Sequence, residues 1–391
     1  MASMTLWYFV FLVLAIALGY ALGYWQQQNG SKPVKNLAER LPQAHYQKGL
    51  TYLLKDEPDA AIDTFIDALE VNDETLDIHL ALGKMLRRRG ELTRAVVIHQ
   101  HCLSHPGLST HQHHLVELEL AADYFRSGLL DRAETILKEL VGSAGVAKQT
   151  RSKALERLLQ VYQAMGDWLE AIDIADQLTA AKFAASPDLW RQQQSQFSCE
   201  LAQLAIAKND EMAARRYLRN AQQYNPSNVR ALLLLAQLEM DQEAYAEALA
   251  ALVNIPEHDA RYLPDMLVPM EQCYKAMGKN DEFVASINGL YRQYGGRYLL
   301  AYLCYLLIQS KNTEQLDPLL QSELALYSES SIIAELYPLV DPDQRSQAGA
   351  LLAKYLMSSQ RYVCSQCGFE GEQLHWLCPG CQSWATIAIS Y

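Results

Sequence analysis

Residues 83–95 read GKMLRRRGELTRA. Gly90 breaks an amphipathic run, and Ala95 follows it in the next one. The same pairing recurs as GLLDRA at 128–133 (Gly128, Ala133) and as GDWLEA at 166–171 (Gly166, Ala171). Asn209 with Ala214 continues the series. Each pair marks a turn between two antiparallel helices, and small residues let the two helices approach closely.

Working towards the N-terminus, the segment from His45 holds Gly49, Tyr52, Ala61, Phe65 and Ala68. A step of about 34 residues from Gly49 reaches Gly83, and that step is the tetratricopeptide period. The segment resembles the tetratricopeptide pattern, a helix–turn–helix unit in which large residues fill the gap between neighbours. Towards the C-terminus, Pro226 closes a unit in AQQYNPSN, and EAYAEALAAL and YKAMGKNDEF keep the rhythm. AYLCYLLIQSKNTEQL and SSIIAELYPLV keep it only loosely. Strand periodicity is absent, so the expectation is an all-α superhelical solenoid of roughly seven to nine hairpins. Such arrays present an extended surface to a peptide or a partner protein.

Leu6 to Trp25 reads LWYFVFLVLAIALGYALGYW without a charge. An α-helix of about twenty residues spans roughly 30 Å, the thickness of a bilayer's hydrocarbon core. Trp7, Tyr8, Tyr24 and Trp25 stand at its ends, where aromatic belts belong. A cleaved signal peptide is the rival reading, but no Lys or Arg precedes the run and the run is long, so an uncleaved single-pass anchor is favoured. Lys32, Lys35 and Arg40 follow it, which puts the bulk of the chain on the cytoplasmic side. Gly19 and Gly23 form a G-x-x-x-G that is either a helix-packing face or ordinary membrane-helix glycine. The expected divisions are an anchor at 1–25, a linker at 26–40, the repeat array at 41–345 and a metal-binding domain at 346–391.

From Val363 the tail reads VCSQCGFEGEQLHWLCPGCQSWATIAISY. Its two C-x-x-C units, Cys364 with Cys367 and Cys378 with Cys381, suit two facing knuckles around one tetrahedral ion. Gly368 and Gly380 allow the tight turns this needs. Four thiolates select zinc or iron, and with all positions filled by protein the site is closed to catalysis. A redox C-x-x-C belongs in a βαβ context that this tail lacks. Phe369, Leu374, Trp376, Leu377, Trp384, Ile387 and Ile389 are too many apolar residues for so small a module to bury alone. The module is therefore expected to dock on the helical array. The other four cysteines, Cys102, Cys199, Cys273 and Cys304, have no common spacing and read as buried thiols in a reducing compartment.

A net charge of -12 argues against a nucleic-acid partner. No G-x-x-x-x-G-K, G-x-G-x-x-G, H-E-x-x-H or G-x-S-x-G occurs, so a non-enzymatic protein is expected. Six of the ten histidines, His99, His101, His105, His111, His113 and His114, fall close together. They are either a metal or pH-sensing cluster, with His101 and His105 sharing a helix face, or a His-rich inter-repeat loop.

Anchor, repeats and tail in this order resemble the lipopolysaccharide assembly protein B family of Gram-negative bacteria. The rubredoxin pattern C-x-x-C-G and C-P-x-C maps onto Cys364, Cys367, Gly368, Cys378, Pro379 and Cys381. It departs from rubredoxin in the short gap between knuckles and at Gln382, where a second glycine is usual. The resemblance implies a regulator of lipopolysaccharide synthesis at the inner membrane. It would act with the membrane AAA+ protease FtsH to promote degradation of the deacetylase LpxC, and would help organise other lipopolysaccharide synthesis or transport proteins. It also implies one iron ion at the four cysteines, with zinc as the alternative. An electron carrier using a rubredoxin-like iron site is the alternative function.

Overall fold

The computed structural model describes residues 75–180, 187–309 and 361–389, together with 48, 51, 52 and 64. The Leu6–Trp25 segment, the linker, most of the first repeat and the stretch from 310 to 360 lie outside the described residues. No helix among the described residues is long and apolar enough to cross a membrane.

Six helical hairpins are described. Their helices are α1 (Leu76–Arg89) with α2 (Leu92–Leu103), α3 (Thr110–Arg126) with α4 (Leu130–Gly142), and α5 (Lys148–Met165) with α6 (Trp168–Ala180). They continue as α7 (Pro187–Ala207) with α8 (Glu211–Tyr224) and α9 (Val229–Asp241) with α10 (Tyr245–Leu252). A short α11 (Ile255–His258) and a 3₁₀ turn (Ala260–Tyr262) lead to α12 (Leu263–Ala276) with α13 (Asn280–Tyr294). The helix α14 (Arg297–Gln309) follows.

One device turns every hairpin. Gly90, Gly128, Gly166, Asn209, Glu243 and Gly278 all have left-handed backbone, with φ of 85°, 75°, 80°, 56°, 60° and 70°. The amide after each donates back to the carbonyl five residues earlier: Glu91 to Leu86, Leu129 to Tyr124, Asp167 to Tyr162, Asp210 to Ala205, Ala244 to Glu239 and Lys279 to Tyr274. This bond satisfies a helix-end carbonyl and reverses the chain. Five positions on, Ala95, Ala133, Ala171, Ala214 and Ala248 are fully buried where the second helix meets the first. The sixth hairpin places Phe283 there instead. The sequence pattern anticipated the first four turns. Glu243 and Gly278 extend the series.

The chain divides into two compact units, residues 1–154 and 155–391. In the first, Leu76, Leu80, Leu86, Ala95, Ile98, Cys102 and Val116 form the core between α1, α2 and α3. At Gly83 α1 and α2 approach closely: a Cβ there would lie 2.4 Å from the His99 ring. In the second, one core joins α7, α8 and α9, and a larger one runs from α9 to α14.

The second unit also holds the tail. Three short strands, β1 (Tyr362–Cys364), β2 (Glu370–Gly371) and β3 (Ile387–Ile389), form an antiparallel sheet in the order β2-β1-β3. The expectation of an all-α chain is thus corrected at the tail. Strands of two or three residues contain too little alternation to leave a periodic signature.

Candidate metal centre

The two C-x-x-C units build two knuckles on one hydrogen-bond plan. In the first, the Cys364 amide donates to the Phe369 carbonyl (2.8 Å) and the Gly368 amide to the Cys364 carbonyl (3.0 Å). In the second, the Cys378 amide donates to the Ser383 carbonyl (2.9 Å) and the Gln382 amide to the Cys378 carbonyl (2.9 Å). Gly368 at φ 74° and Gln382 at φ 58° occupy equivalent left-handed positions. The departure from glycine at 382 therefore leaves the backbone geometry unchanged. An antiparallel bridge between Leu377 and Trp384 closes the second knuckle.

The knuckles face each other across their sulfurs. All four ligand atoms lie within 4.8 Å of one another. Cys364 Sγ is 3.7 Å from Cys381 Sγ, and Cys367 Sγ is 3.6 Å from Cys378 Sγ. Metal–thiolate bonds of about 2.3 Å place tetrahedral sulfurs roughly 3.8 Å apart, so these residues fit a four-thiolate ion. All four cysteines are free thiols in the structure. Gly380 keeps the cradle open, because a Cβ on it would stand 3.2 Å from Cys367 Sγ.

The surroundings favour the thiolate at Cys364 and Cys381. At Cys367 a backbone hydrogen bond from Phe369 lowers the thiol, but desolvation and the neighbouring sulfurs outweigh it and push the thiol up to about 12. Thr386 Oγ1 lies 3.3 Å from Cys364 Sγ. That hydroxyl, with the amides of Cys367 and Gln366, pulls the Cys364 thiol down to about 6. The Ser383 side chain and backbone likewise lower Cys381. When bound, the metal supplies a closed coordination centre. The chain's own contribution is to hold the four sulfurs at bonding distance, with Cys364 and Cys381 biased towards thiolate. With four protein ligands there is no open position for substrate.

The four scattered cysteines behave as the sequence suggests. Cys102, Cys199, Cys273 and Cys304 are buried, and burial pushes the Cys102 thiol up to about 11 and those of Cys199 and Cys304 up to about 12.

The histidines do not come together. The helix α2 ends at Leu103, so His105 lies beyond it and shares no helix face with His101. His99 is buried with its Nδ1 bound to Asp123. His105 Nδ1 accepts from the Gly107 amide, and His114 is buried on α3. Among the described residues, the four cysteines are the one group placed to hold a metal ion.

The tail docks on the helical array, as its apolar excess predicts. Trp384 packs its ring against Trp168 (6.2 Å between centroids) and Phe197 (6.0 Å), and its Nε1 donates to Gln163 Oε1 at 3.1 Å. Trp376 stacks on Tyr262 at 5.2 Å. The Tyr262 hydroxyl donates to the Ile387 carbonyl (3.1 Å), and the Tyr362 hydroxyl donates to Asp265 Oδ1 (2.6 Å). Burial raises the Asp265 carboxyl, and burial together with Asp265 raises the Tyr362 phenol, so this bond keeps its proton at neutral pH. Between the two tryptophans lies the guanidinium of Arg230, 5.9 Å from the Trp376 ring and 5.7 Å from that of Trp384. Sequence reasoning missed Gln163, Trp168, Phe197, Arg230, Tyr262 and Asp265. The crowding of tryptophans in the tail was the available signal, and it pointed to docking without naming the receptor.

Helical hairpins turned by left-handed residues, with a four-thiolate double knuckle seated on them, define a tetratricopeptide-repeat protein with a rubredoxin-type metal module. Residues 46–99 and 199–255 match the tetratricopeptide repeat family, and residues 362–388 match the rubredoxin metal binding domain. Lipopolysaccharide assembly protein B of Escherichia coli (strain K12) is 28% identical over 387 residues, covering 97% of this chain and 96% of that protein. The protein of the same name from Haemophilus influenzae is 28% identical over 394 residues, covering 97% of each. A crystal structure of a tetratricopeptide repeat protein from Parabacteroides merdae ATCC 43184 aligns at 15% identity with a TM-score of 0.35, covering 72% of this chain and 99% of that one. Over nearly the whole of both chains, this chain is similar to the lipopolysaccharide assembly protein B proteins.

Proposed function

We propose that this chain is a membrane-tethered, cytoplasmic adaptor in lipopolysaccharide assembly, and not an enzyme. The observation that carries this reading is the closed metal module seated on a repeat array: the ligand set leaves no coordination position for substrate, and repeat arrays serve as binding surfaces. The full-length similarity to lipopolysaccharide assembly protein B supports the pathway. In this reading Leu6–Trp25 anchors the chain in the inner membrane, which concentrates the array near membrane partners. Those partners are the protease FtsH and its substrate LpxC, and the adaptor promotes LpxC turnover. The metal is iron, and its task is to hold the tail folded.

Deleting residues 6–25 tests the tether. LpxC lifetime is expected to lengthen in cells carrying the deletion, while the purified variant keeps its helical content and its metal. Unchanged LpxC turnover would overturn the proposal. Zinc-loaded protein that sustains full turnover counts for a structural metal, and loss of function on zinc loading counts for electron transfer.

A further inference from the structure

The metal ligands and the docking residues lie on the same short segments. Tyr362 stands two residues before Cys364, so the first knuckle is tied through its hydroxyl to Asp265 on α12. Trp376 and Trp384 flank Cys378 and Cys381, on the two arms of the stem that closes the second knuckle. The Ala385 amide donates to the Trp376 carbonyl at 2.7 Å across that stem. Both indole rings meet Arg230 on α9.

Arg230 is itself immobilised. Its side chain is 3% exposed, and its Nη2 donates to Glu200 Oε1 (2.8 Å) and Gln203 Oε1 (2.6 Å) on α7. Each knuckle thus has its own fastening to the array, Asp265 for the first and Arg230 for the second. The sheet within the module is small, with two- and three-residue strands, and its own hydrophobic cluster is little more than Cys364, Cys378 and Ile387 with a few half-buried neighbours. A module of that size cannot fix the spacing of its knuckles by its own packing.

We propose that Arg230 and Asp265 are positioning residues of the metal centre: the helical array holds the two knuckles at ligand distance, so that metal retention and docking are one coupled equilibrium. Whatever metal binding adds to docking, docking adds to metal binding by the same factor. The inference goes beyond the adaptor reading and does not depend on it, since it concerns the chain alone. Arg230 and Asp265 touch no sulfur, and act only through Trp376, Trp384 and Tyr362.

The test uses the full chain loaded with zinc. Release of Zn²⁺ into excess chromogenic chelator is followed for the parent, Arg230→Gln, Arg230→Lys and Tyr362→Phe. Arg230→Gln is expected to weaken zinc retention on the order of 10- to 100-fold, the range typical of residues that orient metal ligands from outside the coordination shell. Arg230→Lys restores the charge without the planar, multiply donating guanidinium, and is expected to recover only part of the loss. Tyr362→Phe loosens the first knuckle while keeping its ring, which guards against misfolding of the Arg230 variants. Hydrogen exchange supplies the reciprocal measurement: removing zinc from the parent is expected to deprotect Ile387–Ile389 and the amides around Tyr262. Release rates within about twofold of the parent for both Arg230→Gln and Tyr362→Phe, against the 10- to 100-fold range above, would overturn the proposal. So would unchanged protection at Ile387–Ile389 in the metal-free chain.

Discussion

Two arginines, the half-buried Arg87 in one compact unit and the buried Arg230 in the other, make opposite kinds of joint. Arg87 on α1 donates to Glu119 Oε2 and Asp123 Oδ1, both at 2.7 Å and both on α3, one hairpin further along. Asp123 also takes His99 of α2, so one polar cluster ties three successive helices. Arg230 has one carboxylate, Glu200, and sets its guanidinium over two tryptophan rings from the far end of the chain. The first joint draws on partners that the repeat itself brings near. The second recruits a separate module. The difference shows how one residue type serves within a repeat array as a charge clamp and at its docking face as a planar spacer.

The comparison predicts unequal costs. Removing Arg87 takes a charged partner from Asp123, which is fully buried and keeps His99, and from Glu119, which is 10% exposed and keeps Lys84. Breaking a buried pair from one side costs about 3–5 kcal/mol. Glu200 is 25% exposed and stays partly hydrated when its arginine goes, so the stability cost of Arg230→Ala is expected to be smaller, about 1–3 kcal/mol. Urea unfolding of Arg87→Ala and Arg230→Ala side by side measures both. If Arg230→Ala proves the more destabilising, the distinction between clamp and spacer fails.

How much of this was readable in the sequence follows from the same contrast. The turns at Gly90, Gly128 and Gly166 were legible because a left-handed residue at a helix end is most often glycine. Glu243 takes the same conformation and was not, since nothing about glutamate announces it. The four cysteines were legible because thiolate coordination demands a fixed spacing. Arg230 was silent. Its partners at Trp376 and Trp384 are remote in the chain, and helical periodicity reports only which face of a helix is buried. The buried His99 was read with its exposed neighbours because composition cannot tell a ring bound to Asp123 from one in solvent.

Buried thiols in the two units supply a pH-dependent comparison. Burial raises Cys102 of the first unit from 9.0 to about 11 and Cys199 of the second from 9.0 to about 12. Both therefore keep a proton that the unfolded chain gives up. Their contribution is whole below pH 9 and is lost as pH rises, by about 1 kcal/mol per pH unit for each thiol. The loss from Cys102 ends near pH 11, whereas that from Cys199 continues to about pH 12. Denaturant midpoints measured from about pH 8 upwards should fall more gently in Cys199→Ala than in the parent. Parallel slopes would show that other groups, Tyr262 and Tyr362 among them, govern the alkaline loss.

The closeness of α1 and α2 can be tested at a single atom. A Cβ at Gly83 would meet His99 Cε1 and Nε2 at 2.4 Å, and the ring is held from its other side by Asp123. Gly83→Ala is expected to cost about 1–3 kcal/mol, the range for overpacking. Gly142, at the end of α4, has open space around it, so Gly142→Ala is the matched control and should be neutral or slightly stabilising. Equal melting temperatures for the two variants would mean that the α1–α2 contact yields without strain.

The smallest expected effect lies inside the metal module. The two knuckles share a hydrogen-bond plan, yet the left-handed position is Gly368 in one and Gln382 in the other. A side-chain-bearing residue in that conformation is disfavoured by roughly 1–2 kcal/mol relative to glycine. Gln382→Gly removes the strain and loses only an exposed 3.3 Å bond from Gln382 Nε2 to the Pro379 carbonyl, while glycine's greater freedom in the unfolded chain returns part of the gain. The net is an expected stabilisation of up to about 1 kcal/mol, with Gly368→Ala moving the other way by a similar amount. Thermal unfolding of the metal-loaded chain reads both changes. If Gln382→Gly destabilises, the side chain at 382 is contributing more than its backbone costs, and the two knuckles are equivalent in geometry but not in energy.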